Sequence, residues 1–306
     1  MGKLKCMSGV YAPVMTPYNV DLSIDQERLF THCSWLISQG SGLAIFGTNS
    51  EANSLSVGER LDLLDVLVGR GLSPKKMLPG TGCCSIIDSA ILTTKAVKLG
   101  CSGVLMLPPF YYKDVSDDGI FKNFSEIIER VGDSKLKIFL YHFPQMSGLH
   151  LSIKLIERLI KAFPDSIVGM KDSSGNLKYL EKIVRTFPNF KMFVGSEALL
   201  LANLRVGGFG CISATANINP KNIINLFDKW KSSKADSIQN DIKIVRNIVQ
   251  AYPMIPAMKK MLAHYSNDEN WDRVRPPLTE LPERQANDLI SSLGKINFQM
   301  PGLLSK

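Results

Sequence analysis

The 306-residue sequence predicts an α/β fold, a (β/α)8 TIM barrel carrying a C-terminal helical extension. Three observations predict it: eight short β-rich apolar runs, helix-period segments between them, and the loss of strand pattern after Ala214. Near-continuous apolar strands alternating with helices belong to a parallel sheet buried on both faces. Eight units suit a closed barrel, with a doubly wound open sheet as the alternative. Barrels of about 250 residues or more form single domains. The expected division is therefore a barrel core over residues 1–219 and a helical extension over 220–306, within one structural unit.

The strand runs extend from Gly9 to Met15, Gly42 to Gly47, Met77 to Gly82, Gly103 to Leu107, Lys137 to Tyr141, Ile167 to Met170, Lys191 to Gly195 and Gly210 to Ala214. Between them, Asp25 to Gln39, Val57 to Val68, Asp88 to Leu99 and Ser152 to Phe163 have helical periodicity. Asp25 and Ser152 are N-cap residues by type. Gly40 and Gly100 fall just past helical runs, where a left-handed cap is common. The extension is read as helices over Pro220 to Trp230, Ala235 to Ala251, Pro256 to Tyr265 and Pro282 to Leu293.

Composition narrows the functional classes. Mean hydropathy is near zero, and no apolar run approaches the ~20 residues of a membrane helix. The start, Met1-Gly2-Lys3-Leu4-Lys5, lacks an apolar signal core and the spacing of a myristoylation signal, so a cytoplasmic protein is expected. The six cysteines, Cys6, Cys33, Cys83, Cys84, Cys101 and Cys211, have no zinc-ligand spacing and suit a reduced compartment. A formal charge of +8 could attract nucleic acid, but Lys75-Lys76 and Lys259-Lys260 are the only basic doublets. No arginine-rich or aromatic-studded basic run is present, so a solvated basic surface is expected.

Lys171 stands apart from the other lysines. It closes the apolar run Ile167-Val168-Gly169-Met170 and is followed at once by the turn residues Asp172-Ser173-Ser174-Gly175. Burial disfavours an ammonium, and a neutral amine can attack a carbonyl to form a Schiff base. On the local run alone, a strand-end lysine paired with a carboxylate is the better explanation, since buried lysines are usually paired. The barrel assignment bears on the choice, because chemistry gathers at the C-terminal ends of the strands. Those ends read Gly47-Thr48-Asn49-Ser50-Glu51, Pro108-Pro109-Phe110-Tyr111-Tyr112, Tyr141-His142-Phe143-Pro144, Lys171, Gly195-Ser196-Glu197 and Ser213-Ala214-Thr215-Ala216-Asn217. An amine, phenols, hydroxyls and turn amides thus converge on one mouth. His142 follows Tyr141, and strand alternation turns it to the opposite face. His32 and His264 lie in helical segments and need no special role.

From Gly9 to about Leu278 the chain resembles the dihydrodipicolinate synthase/N-acetylneuraminate lyase family of pyruvate-dependent class I aldolases. The motifs that carry the resemblance are Gly47-Thr48-Asn49-Ser50-Glu51, Tyr141-His142-Phe143-Pro144, Lys171-Asp172-Ser173-Ser174-Gly175, Gly210-Cys211-Ile212-Ser213 and Arg275-Pro276-Pro277-Leu278. It implies that Lys171 forms an imine with pyruvate or a larger 2-keto acid, with no metal and no other cofactor. By the same resemblance Tyr141 shuttles protons, Thr48 relays them, and Tyr111 completes the relay across a subunit interface. Thr48 and Asn49 would hold the substrate carboxylate, Ile212 would pack near the imine, and the assembly would be a homo-oligomer, a tetramer by family analogy. On residues alone, Tyr141 and Ile212 are also ordinary core residues, and Thr48 or Ser50 an ordinary helix cap.

Three departures from the family pattern bear on the partner substrate. Asn49 stands where the family usually has Thr or Ser, which changes a side-chain donor but leaves the turn amides. Met146 stands where dihydrodipicolinate synthases carry an arginine for the carboxylate of aspartate semialdehyde. Methionine makes no bidentate carboxylate pair, and losing such a charged contact costs several kcal/mol in a buried site, on the order of 2–5. Val57 and Asp88 stand where regulated members bind lysine through His and Glu, so no comparable effector site is expected. Met146 with Gly195, Ser196 and Glu197 suits a neutral or polyhydroxylated partner. The expected activity is an aldolase acting on a 2-keto-3-deoxy sugar acid or 4-hydroxy-2-oxoglutarate. The alternatives are 4-hydroxy-tetrahydrodipicolinate synthase, a 2-keto-3-deoxy acid dehydratase, and a non-catalytic keto-acid sensor.

Overall fold

Alternating apolar segments pair as seven parallel strands: β1 (Gly9–Ala12), β2 (Gly42–Leu43), β3 (Val104–Met106), β4 (Ile138–His142), β5 (Ile167–Asp172), β6 (Lys191–Val194) and β7 (Gly210–Ile212). Their order is β2-β1-β7-β6-β5-β4-β3. This computed structural model describes residues 7–303, and Met1 to Lys5 and Cys6 lie outside them. Residues 77–81 join the two ends of the row, with parallel bridges from Met77 to Leu43 and from Gly80 to Leu105. Leu78 N–H donates to Leu43 O at 2.8 Å, Gly80 N–H to Ile45 O at 2.7 Å, and Leu105 N–H to Pro79 O at 2.9 Å. The third of the eight predicted strands, Met77 to Gly82, therefore closes the barrel as a bridged segment, because Pro79 has no N–H to extend a ladder.

Five of the other strands are shorter than their apolar runs, β1 and β2 by the most. β1 stops before Pro13, and β2 gives way to a turn at Phe46, whose φ is +60°. The barrel interior is filled by Tyr11, Ala44, Leu78, Leu105, Phe139, Phe193 and Ile212, a cluster separate from the main core. Phe193 meets Tyr11 and Phe139 edge-on, with centroids 5.8 and 5.7 Å apart. Gly169 makes room for this plug: a Cβ there would stand 2.6 Å from the Phe139 ring.

Helices form the outer ring and bury one face against the strands. Asp25 caps the helix Gln26–Ser38 by accepting from Arg28 N–H at 2.8 Å, and Ser152 caps Ile153–Ala162 through Leu155 N–H at 3.1 Å. Gly40 and Gly100 are left-handed, with φ of +93° and +80°. The helix expected from Asp88 begins earlier, as Ile86–Lys98, because Ser85 supplies its cap. The helix Pro220–Lys229 packs on β1, and Ala235–Gln250, Met254–Ser266 and Glu283–Lys295 follow it. Among the described residues, no helix is long and apolar enough to cross a membrane.

Candidate active site

Strand alternation places every second residue of β4 and β5 inward. Tyr141 and Lys171 are register partners on these two strands, one step above the aromatic plug. Both are buried, at 4% and 3% exposure. Lys171 Nζ lies 4.1 Å from the Tyr141 ring centroid. The Tyr141 hydroxyl lies 3.2 Å from Thr48 Oγ1, so three strand ends deliver an amine, a phenol and an alcohol in sequence.

Thr48–Ser50 is a single 3₁₀ turn. Its first internal bond runs from Ser50 N–H to Gly47 O at 3.1 Å. The Thr48 and Asn49 N–H groups precede that bond and form the open, partly positive end of the turn. Ser50 holds the turn shut by accepting from Gly47 N–H at 3.2 Å, and Thr16 donates to Ser50 O at 2.7 Å. A narrow cleft beside it is lined by Gly47, Thr48, Gly80, Gly82, Leu107 and Tyr141. A larger cavity of about 530 Å³ lies elsewhere, bordered by Trp35, Pro220 and Val245. It contains none of these three side chains, so cavity size does not locate the chemistry.

The remaining predicted residues fall into distinct places. Ile212 is fully buried in the barrel plug. Gly195 lets the end of β6 approach the turn after Lys171, because a Cβ there would sit 2.1 Å from Ser173 Oγ. Ser196 caps the following turn through Ala198 N–H at 3.3 Å. Glu197 is 1% exposed and fully engaged within the chain. One of its oxygens accepts from Thr215, and the other from Ser213 and from Arg246 at 3.2 Å. Its carboxylate therefore anchors Ala235–Gln250, the helix of Arg246, to the mouth. Met146 lies on the short helix Pro144–Ser147 and is 58% exposed. Tyr111 is 74% exposed and packs edge-on against Tyr112 at 5.4 Å.

His142 points outward, as alternation requires, and pairs with Asp172 at 2.8 Å. The pairing had a sequence signal: each residue follows an inward one on neighbouring parallel strands, so both face out together. His150, which joins them, carried none. Glu51 forms a buried ion pair with Lys259 at 2.5 Å, and Lys259 also donates to Arg273 O at 2.6 Å. The loop that carries Thr48 is thus tied to the C-terminal helices. His32 bonds Asn217 Oδ1 at 3.1 Å, and burial pushes its imidazole down to about 4. The oxygen that it meets also accepts from Met15 N–H, so His32 is a neutral donor on the helical side of the barrel.

Residues 6–296 match the model of the dihydrodipicolinate synthetase family. A 4-hydroxy-tetrahydrodipicolinate synthase of Oceanobacillus iheyensis is 30% identical, with 93% of this chain and 95% of the relative covered. An uncharacterized DapA-like lyase of Chloroflexus aurantiacus is 28% identical over 94% of this chain and 96% of its own. The crystal structure of dihydrodipicolinate synthase from Agrobacterium tumefaciens superposes with a TM-score of 0.86 at 28% identity, covering 94% of this chain and 98% of the other.

Proposed function

This chain belongs to the dihydrodipicolinate synthetase family and is a lyase, and from that premise we propose that it is a Schiff-base aldolase that cleaves a 2-keto acid to pyruvate and an aldehyde. The observation that carries the reading is the buried Lys171 amine set over the Tyr141 ring, with the Tyr141 hydroxyl bonded to Thr48.

Lys171 Nζ adds to the keto carbon of the substrate, and the resulting carbinolamine loses water to give a protonated imine. That imine accepts the electron pair of the breaking carbon–carbon bond. Tyr141 takes the proton from the substrate hydroxyl as the aldehyde forms and returns one to the enamine carbon, with Thr48 as its hydrogen-bond partner. Water then hydrolyses the pyruvate imine to free pyruvate and the Lys171 amine. The N–H groups of Thr48 and Asn49 hold the carboxylate next to the keto carbon, which fixes the carbonyl over Nζ. Ile212 keeps the floor of the site dry.

The partner end is assigned to Met146, Gly195 and Ser196, and the neutral, hydroxyl-bearing chain of a 2-keto-3-deoxy sugar acid suits them better than 4-hydroxy-2-oxoglutarate, whose aldehyde half, glyoxylate, is itself a carboxylate. Met146 offers an aldehyde no cation, which argues against a carboxylate-bearing one. The second reading is 4-hydroxy-tetrahydrodipicolinate synthase, favoured by the name of the Oceanobacillus relative. A homotetramer in the cytoplasm, with Tyr111 reaching a neighbouring subunit's site, completes the proposal. Borohydride reduction with pyruvate should yield a covalent adduct on Lys171, detected by peptide mass. A folded protein without that adduct refutes the reading. Turnover of the keto acids, set against condensation with aspartate semialdehyde, decides between aldolase and synthase.

A further inference from the structure

The two strands that present Tyr141 and Lys171 inward present His142 and Asp172 outward, again as register partners. These outer side chains are buried, at 0% and 2% exposure, and their 2.8 Å bond crosses directly behind the inner pair. Asp172 also accepts from Ser174 N–H at 3.1 Å and from the Ser174 hydroxyl at 3.0 Å, which shapes the turn leaving Lys171. The other ring nitrogen of His142 lies 3.1 Å from His150 Nδ1. Tyr179 closes the group, with its ring centroid 4.7 Å from that of His142 and its hydroxyl donated to Leu151 O at 2.6 Å.

The donor inventory fixes the proton positions. An ionised Asp172 only accepts, so His142 Nδ1 must carry a proton. In a neutral ring Nε2 is then an acceptor, which His150 Nδ1–H satisfies. Without His150, Nε2 loses its buried donor, and the opposite tautomer, in which nothing is donated to Asp172, becomes less unfavourable. A ladder hydrogen bond alone holds two strands at a fixed spacing. A side-chain bond directly behind the reacting pair also fixes their tilt.

We propose that His142 and Asp172 are positioning residues for the reaction at Lys171, and that His150 supports the His142 tautomer that lets them pair. The proposal rests on the Schiff-base reading of Lys171. The bond between them sets the approach of the Lys171 amine to the keto carbon, while carboxylate binding belongs to the Thr48 turn on another strand. Loss of the bond should slow imine formation and leave pyruvate affinity nearly unchanged.

The test uses the full chain and measures the rate of borohydride-trapped adduct formation across pyruvate concentrations. Asp172→Ala should lower the saturated rate on the order of 10²-fold, the scale of a 1 Å misplacement, with little change in half-saturation. Asp172→Asn, which keeps an acceptor oxygen, should recover much of the rate. His150→Ala, at the exposed end, should show the same split more weakly. It carries the test if Asp172→Ala does not fold. A wild-type saturated rate in the folded variant, or a defect confined to half-saturation, overturns the proposal. Failure of the wild-type chain to form any adduct overturns the lysine reading and this proposal with it.

Discussion

Replacing Lys171 by alanine removes the amine and leaves the aromatic plug below it intact. The variant should stay folded, lose the pyruvate adduct entirely and lose all turnover, as intact-mass measurement after borohydride treatment will show. Tyr141→Phe keeps the ring beneath Nζ and deletes only the hydroxyl that meets Thr48. Its kcat should fall by about 10²–10⁴, the usual contribution of a proton-transfer group, with a smaller change in KM. A comparable loss in both constants would instead make the hydroxyl a binding group. These residues were legible because strand ends in a barrel converge, whatever the intervening sequence. Glu197 was legible only as an acid at the mouth. That its oxygens are taken by Thr215, Ser213 and Arg246 depends on a helix far along the chain.

Elements are held in place by clamps that cross between them. Arg275 follows the extension's 3₁₀ turn Glu269–Asp272 and donates to Leu22 O at 2.7 Å, to Ser54 O at 2.8 Å and to Glu59 at 2.5 Å. The Arg275 hydrogen bond is the first cause that holds the Glu59 carboxyl at about 2, down from its ordinary 4.5. Between those values the unfolded chain binds more protons than the folded one. The stabilisation from Glu59 is therefore complete above pH 4.5 and is lost as pH falls toward 2. Glu59→Gln should be less stable than wild type at pH 7, with most but not all of that gap closed at pH 2.5, read as urea midpoints at both pH values. An unchanged gap at low pH would place the clamp's contribution in packing. The strand runs themselves were readable from apolar patterning, but Met77 to Gly82 contained a residue that periodicity ignores. Pro79 reduces that segment to two bridges without removing it from the barrel.

The whole molecule depends on the seam between the barrel and its C-terminal helices. Lys259 and Glu51 meet there with side chains that are fully buried. Lys259→Met leaves a buried carboxylate without its cation, which costs about 3–5 kcal/mol. Urea unfolding should show that loss, and Glu51→Leu added to Lys259→Met should restore most of it. If the double variant is as unstable as the single one, the pair is needed for more than charge balance. Tyr111 and Tyr112 are exposed at 74% and 72%, an aromatic pair of the kind enriched at interfaces. Sedimentation should find an oligomer, and Tyr111→Ala should reduce turnover in step with its effect on assembly or on Tyr141.

Local rules determined a great deal: the alternation of strands and helices, the caps at Asp25 and Ser152, and the inward parity shared by Tyr141 and Lys171. Each depends on residues within a few positions of one another, or on a period that the chain repeats. Tertiary structure alone decided which distant groups neutralise one another. Lys259 finds Glu51, Arg246 finds Glu197, and His150 finds His142, because barrel closure sets these distances and no sequence spacing encodes them. A buried charge or ring nitrogen must be satisfied by whatever the fold brings near it, so its partner is settled only once the fold has closed.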